Sequence, residues 1–541
     1  MKKLLILCLL FTTNCFATHY YVSSAGNDSN PGTLASPWLT TTKVNSSSFV
    51  GGDIISFNGG NSFSGGITLS TNVSGTSSTT PLTINSYGTG RATITSSTIA
   101  IYTSNVAGIV CQNLILTGTG ASNSYGILHE NYTTGSTVYD YLKDTYLTIS
   151  SFDIGVAVAA YPSDNSHSGF SNVEVSHCTI SNGINYGIYG YSSYGAGYGH
   201  SNVHLFSDTI SNFVGVAGPL HSGNGITFAE VNGLTAEYNI VHDCGANNTS
   251  SSGPVGLWCY EATNALLQYN EVYNQATNSA ADGGGFDFDG GVTNSIMQYN
   301  YSHNNYGPGF MFYSYNDTYL TTWNNNIMRY NISQNDATHN TSSYSSIFIG
   351  ATSTMTNAYC YNNTIYNSLS GSGLLGFYGT SVGGATGIVS NNIFYSANNA
   401  NLINTIGTNP TIPITGNDWF NTGNFSMLWN GNTYTTYSSW QTATGQEKIS
   451  GSNVGKTSNP LLMSPGAAGV TGGYAPALLK AYRLSQASPM ISNGLNLFTV
   501  YGINVGSQDY YGNSIPNSSG FYDIGATQYK VLIVNGHIIL I

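Results

Sequence analysis

Charged residues are scarce in this 541-residue chain. Lys and Arg together number 11 and Asp and Glu 23, so 6% of residues carry charge, against roughly a quarter in ordinary soluble domains. With a formal net charge of -12, the chain has no basic face to neutralise phosphates. That excludes nucleic acid as a partner and disfavours anionic membrane surfaces. Helical surfaces rely on Glu, Lys, Arg and Ala, so the same scarcity argues against a helix-rich fold. Apolar runs are short as well: beyond residue 17 no segment approaches the roughly 18 residues of a membrane span. Five cysteines follow residue 17 (Cys111, Cys178, Cys244, Cys259 and Cys360). This odd, widely spaced set fits neither a disulfide framework nor a zinc site and reads as buried thiols.

Gly reaches 65 and Tyr 41, and with abundant Ser, Thr and Asn they favour strands and turns, so the body is expected to be all β. Length alone would allow three average domains, but a repeat can absorb it in one body. The repeat is legible in AEYNIVHDC (236–244), LQYNEVYNQ (267–275), MQYNYSHNN (297–305), MRYNISQND (328–336), CYNNTIYNS (360–368) and SNNIFYSAN (390–398). Marks at Asn239, Asn270, Asn300, Asn331, Asn363 and Asn392 recur about every 30 residues, with Cys178 and Asp208 earlier in the same place. Such a period means one coil per repeat, stacked at the inter-strand spacing of about 4.8 Å. Asn at the mark tolerates a left-handed bend and can bond its amide to the Asn of the next coil. A second column four residues on, Asn182, Asn212, Asn274, Asn304, Asn335 and Asn367 with Asp243 as the exception, reads the same way. Both columns hold turns and do no chemistry.

Residues 1–17 have a basic start (Lys2, Lys3), an apolar stretch and small residues before Thr18, the pattern of a secretion signal. It places the mature protein outside the cytoplasm, secreted, periplasmic or at the cell surface. Residues 401–528 lose the period and read as a loop-rich β layer packed on the last coils of a solenoid over 18–400. The final 529–541, with two apolar runs about Asn535-Gly536, read as a hairpin.

YYVSSAGNDSNPGTLASPW (20–38) with GGDIISFNGG (51–60), and QDYYGNSIP (508–516) with DIGATQY (523–529), resemble the opening and closing segments of the pectate-lyase-like superfamily of right-handed parallel β-helices. Together with the repeat, the resemblance covers most of the chain. It implies a right-handed parallel β-helix with an N-terminal cap, and an activity on polysaccharides, as a lyase, glycoside hydrolase or epimerase. The stretch DGGGFDFDGGVTNSIMQYNYSHNN (282–305) resembles segments of carbohydrate-active members.

The chemistry is sought on the strands that precede the marks: GITFAE (225–230), GLWCYE (256–261), GFDFDG (285–290) and GFMFYS (309–314). Alternation puts Ile226, Phe228, Leu257, Cys259, Phe286, Phe288, Phe310 and Phe312 inside and Thr227, Trp258, Tyr260, Asp287, Asp289, Met311 and Tyr313 outside on one exposed sheet. Flat rings suit sugars, and paired carboxylates suit acid, base or nucleophile roles. Asp287 and Asp289 are therefore the leading catalytic candidates, with Glu261 from the neighbouring coil and His303 as a proton carrier. Trp258, Tyr260, Tyr313, His242 and Glu230 are candidates for binding substrate. His242, Tyr273, His303 and Gln334 share one column, for which a ladder of hydrogen-bonding residues is the plainer reading. Asp282, Asp287 and Asp289 could instead supply calcium ligands, although a calcium ion needs about six or seven oxygens.

Lyases on the resembled fold use Lys or Arg as base, and none lies within the carboxylate strand. Hydrolysis of a neutral glycan by a monomer without a required cofactor is thus favoured. A calcium-dependent lyase or epimerase and a non-catalytic glycan-binding surface protein are the alternatives.

Overall fold

A computed structural model describes residues 17–192, 197–218, 221–279, 281–316, 319–339, 344–517, 519–529, 531–534 and 537–540. The leader expected at the N-terminus falls mainly on residues 1–16, outside these. Strands dominate, and helix is limited to short segments such as Thr41–Asn45, Tyr437–Thr444 and Leu497–Tyr501. The chain is a parallel β-helix. Among the described residues, a 13-stranded sheet with one strand per coil forms one side, and a 27-stranded sheet folds round the other two. The two sides of the larger sheet are joined because Asn224–Glu237 runs through both without a break. Its first half pairs with Tyr186–Ser192 and its second with His200–Phe206.

Alternation fills the interior. Ile226, Phe228, Leu257, Cys259, Phe286, Phe288, Phe310 and Phe312 are each 0% exposed, and aromatic rings stack from coil to coil, Phe286 on Phe310 at 5.1 Å and Phe288 on Phe312 at 6.0 Å between centroids. The five described cysteines are buried and unbridged, with burial pushing each thiol up from its ordinary range.

The asparagine marks form the expected ladder. Asn239 donates to Asn270 Oδ1 at 3.1 Å, Asn270 to Asn300 at 2.9 Å, Asn300 to Asn331 at 3.1 Å, Asn331 to Asn363 at 3.0 Å, and the series continues through Asn392 to Asn417. The bend sits one residue earlier than the sequence suggests. Left-handed backbone belongs to Tyr238, Tyr269, Tyr299, Tyr330, Asn362 and Asn391, with φ between 51° and 60°. The mark itself turns inward, where its amide satisfies main-chain groups. Left-handed Tyr costs roughly 1–2 kcal/mol each, and ring stacking offsets it: Tyr238 on Tyr269 at 5.0 Å, and Tyr269 on Tyr299 at 5.2 Å. In the second column Asn182, Asn212, Asp243, Asn274, Asn304 and Asn335 are left-handed, as expected for a bend; Asn367 departs from it, buried at the end of strand Thr364–Asn367 and donating to Asp336 O at 2.8 Å.

The segment 461–529 packs on the tyrosine column and on the 13-stranded sheet through a cluster that includes Tyr299, Tyr330, Tyr482 and Tyr510. At its edge the buried Glu271 carboxylate accepts from the Thr471 and Gly473 amides at 2.7 Å each and from His303 Nε2 at 3.2 Å. Burial alone would raise this carboxyl, but the bonds from His303, Gly473 and Thr471 outweigh it and leave the pKa below the ordinary 4.5. A depressed folded value means stabilisation that is complete above the unfolded pKa and lost as pH falls through the folded one. Thermal melts should therefore show 461–529 loosening as the pH drops below roughly 4, with Glu271→Gln flattening that dependence; an unchanged acid limb in the variant would contradict the assignment. The last strands, Val531–Val534 and His537–Leu540, pair antiparallel; Asn535 and Gly536 lie outside the described residues.

Candidate active site

Parallel pairing sets Tyr189, Thr227, Trp258, Asp287, Met311 and Phe348 side by side on one outward row of the larger sheet. The sequence expects this face to be open. Instead Asp287 is 1% exposed, Trp258 4% and Met311 5%, because the long connections between coils fold back over the sheet. They leave a cavity of about 770 Å³, whose lining includes Tyr186, His221, Ser251, Asp282, Asp289, Tyr315 and Tyr344 as well as that row. Val255, Trp258, Met311 and Phe348 form its apolar wall with Tyr260, Tyr313 and Tyr344. Trp258 is fixed by an indole N–H donating to Asn224 Oδ1 at 3.1 Å and by Tyr260 stacked at 5.3 Å.

Three carboxylates meet here. Asp287 lies in strand Gly284–Phe288, and its Oδ1 has no hydrogen-bond partner among the described residues. Burial pushes its carboxyl well above the usual range, and the charges of Asp289 and Asp282 push it further. Asp289, two residues on and half-buried, projects from the same face, with about 6.5 Å expected between the two Cα atoms. Asp282 precedes the strand and accepts from Tyr344 Oη at 2.8 Å and from the Gly253 amide at 2.9 Å. Burial raises its pKa, opposed by Tyr344, by the nearby His221 and by Gly253.

The glycine run between Asp282 and Phe286 has steric reasons. Asp282 and Gly283 are both left-handed, at φ 48° and 74°, which swings the chain from loop into strand. At Gly285 a Cβ would come within 2.7 Å of Gly309 O and 2.5 Å of Ser302 Oγ, so the coils close up only without a side chain there.

Of the residues singled out in the sequence, Asp287, Asp289, Trp258, Tyr260 and Tyr313 converge on this cavity, as does Asp282. The others have different surroundings. Glu261 sits at a left-handed bend, 1% exposed, where its carboxylate accepts from the Tyr319 and Leu320 amides of a coil connection at 3.1 and 2.9 Å; it is not among the lining residues. Glu230, the equivalent position one coil earlier, is buried and accepts from the Ser192 amide at 2.6 Å. His242 and His303 lie on the 13-stranded sheet, with Tyr273 stacked between them at 4.8 Å on each side. That column is a structural ladder. Arg329 points to Gln298, Tyr361 and Asn504 O beneath the C-terminal segment.

Among the described residues no Lys or Arg lines the cavity. Nor, among them, is any group of three or more His, Cys, Asp or Glu side chains arranged to hold a metal ion. Each Asp282 oxygen already accepts one hydrogen bond, from Tyr344 Oη and from the Gly253 amide.

No direct signal in the sequence marks His221, Tyr344 or Tyr186, which reach the cavity from connecting loops or an earlier coil. Tyr186 could have been found from the row, since Tyr186 and Tyr189 share the strand next to Thr227.

No known family profile matches the chain. The lacto-N-biosidase of Bifidobacterium longum subsp. longum is 30% identical over 218 residues, 38% of this chain and 12% of that protein, so the match spans about an eighth of the relative's length. Among solved structures, the native GH136 lacto-N-biosidase from Eubacterium ramulus superposes with a TM-score of 0.53 at 20% identity, over 67% of this chain and 66% of that one. Its selenomethionine derivative gives 0.53 at 19%, over 72% and 68%. At that identity the likeness shows the parallel β-helix fold.

Proposed function

We propose that this chain is a glycoside hydrolase that cleaves a neutral oligo- or polysaccharide in the cavity beside Trp258. The observation that carries the reading is the meeting of three carboxylates with aromatic walls and no Lys or Arg among the described lining residues. Elimination from a uronate needs a base and positive charge around the sugar carboxylate; glycosidic hydrolysis needs one protonated and one ionised carboxyl. The proteins it resembles carry the name lacto-N-biosidase, which supports hydrolysis over elimination.

In this reading Asp287, kept protonated by burial and by its acidic neighbours, gives its proton to the leaving oxygen. Asp289, on the same face, either attacks the anomeric carbon as the glycosidic bond breaks, with water then cleaving the glycosyl ester and returning a proton to Asp287, or takes the proton from a water that attacks that carbon directly. Asp282 is held in one orientation by Tyr344 and Gly253 and completes the carboxylate set. Residues 1–17 direct export, and the solenoid runs past the expected boundary at 400, because Asn401–Gly407, Ile414–Thr415, Asp418–Asn421 and Met427–Trp429 stack parallel on its coils. The layer packed on it is confined to the residues that follow, up to 528, the expected hairpin over 529–541 falls partly outside the described residues, and the chain acts as a monomer.

The test compares Asp282→Asn, Asp287→Asn and Asp289→Asn on aryl hexosides and an aryl lacto-N-bioside. A proton donor's variant keeps turnover when the leaving group needs no proton, and the variant of the ionised partner recovers with added azide. Wild-type turnover in all three variants would overturn the assignment.

A further inference from the structure

Beyond the cavity, on its N-terminal side, the same outward row continues through earlier coils. In register with Tyr189 stand Ala157, Leu128 and Tyr102, so the row from Tyr102 to Asp287 crosses six strand steps, about 29 Å at the usual spacing. Leu128, Ile154 and Ala157 form a small apolar cluster on this outer face, separate from the solenoid's interior, and Tyr102, Tyr125, Tyr186 and Tyr189 pack over it. The neighbouring outward row carries Glu130, Ala159 and Tyr191. Small residues at Ala157 and Ala159 leave room for the rings to lie across them.

Tyrosines then follow one another along the face. Tyr132 and Tyr161 have centroids 6.0 Å apart, Tyr161 and Tyr191 6.0 Å, Tyr191 and Tyr189 6.1 Å, and Tyr189 stacks on Tyr186 at 4.5 Å. Tyr186 and Tyr189 are also cavity residues, so the track enters the cavity without a break. Glu130 stands in the track and accepts from Tyr102 Oη at 2.8 Å, and the buried carboxylates of Asp153 and Glu230 lie near Tyr186 and Tyr189; no Lys or Arg is among the residues named in it. Tyr132 is 45% exposed at the far end.

We infer that this tyrosine track binds further sugar units of a neutral glycan chain whose reacting bond lies in the cavity; the inference rests on the cavity being a glycan site. A protein partner of comparable footprint would be expected to meet a mixed rim with charge partners, whereas pyranose faces need ring platforms spaced about one unit apart and hydroxyl donors between them. Tyrosine supplies both. The substrate is then a chain of several units rather than a disaccharide cap alone, and affinity grows with chain length.

The probes are neutral gluco-, galacto- and xylo-oligosaccharides and lacto-series glycans, from disaccharide to octasaccharide. They are titrated by calorimetry against the full chain carrying Asp289→Asn, so that nothing is consumed. Affinity should rise with length for at least one series, and Tyr132→Ala with Tyr161→Ala should lower it about tenfold for the longest members and little for the disaccharide. The paired Phe substitutions keep the rings and should keep most of the binding, which guards against a folding defect. Tyr146→Ala, on an exposed ring outside the track that stacks on His177, should change nothing. Affinity that ignores length in every series, or a length dependence that survives the Ala pair, overturns the inference. A protein that shows the length dependence but releases no reducing ends keeps the track and loses the hydrolase reading; one that cleaves glycans with no length dependence does the reverse.

Discussion

Asp287→Asn is expected to lower turnover by roughly 10²–10⁴-fold, the span of a lost proton donor, while leaving the fold more stable at neutral pH. Both effects come from one feature. Asp287 is buried with Oδ1 unpartnered among the described residues, and its carboxyl is raised by burial, by Asp289 and by Asp282. A raised folded pKa means that the native state loses stability as pH rises from the unfolded value towards the folded one, since the unfolded chain ionises first. Asn cannot ionise, so the variant escapes that loss and its melting temperature should exceed the wild type's above roughly pH 5. The wild-type rate should also persist above the ordinary carboxylate range and fall once the proton leaves. A variant that is both inactive and less stable at neutral pH would show that Asp287 holds the sheet together instead.

The second large effect is structural. Asn300→Leu should destabilise the protein by about 3–5 kcal/mol, because the change strands several buried partners at once. Asn300 donates to Leu267 O at 2.8 Å and to Asn331 Oδ1 at 3.1 Å, and its Oδ1 accepts from the Asn270 main-chain amide at 3.0 Å and side-chain amide at 2.9 Å. Leu fills the space and satisfies none of them. Asn212→Gly in the exposed column is the contrast: Asn212 is left-handed at φ 58°, which Gly adopts freely, and its bond to Asn182 is long at 3.4 Å. Its cost should stay within about 0.5 kcal/mol. Denaturant unfolding of both variants measures the difference, and equal costs would mean that the interior ladder adds nothing beyond turn geometry.

The solenoid was legible because its physics is local and periodic. Each coil repeats one inward aliphatic or aromatic pattern and one Asn mark, so register follows from spacing. Alternation likewise put Asp287, Trp258 and Met311 on one row without any knowledge of tertiary contacts. What spacing could not supply was where coil connections travel. Tyr344 and His221 arrive from loops, and the outward sheet is roofed rather than open because those loops fold back across it. Coil stacking brings Glu261 and Glu230 near the carboxylate strand, but reaching the site requires each to turn outward at its strand end, and each instead stands at a left-handed bend where its carboxylate finds main-chain amides first. His242 and His303 share a column, and the three-sided coil turns that column onto a different sheet. The bend one residue before each Asn has no local signal, since nothing local favours left-handed Tyr; stacking between coils supports it.

The hydrolase reading is tested most directly by digesting a panel of polysaccharides and lacto-series oligosaccharides with the mature protein, scoring new reducing ends and the ultraviolet absorbance of unsaturated uronate together. Reducing ends that appear without that absorbance, and vanish in Asp287→Asn, are the predicted result. Absorbance rising in step with the reducing ends would contradict it and establish elimination in the same cavity.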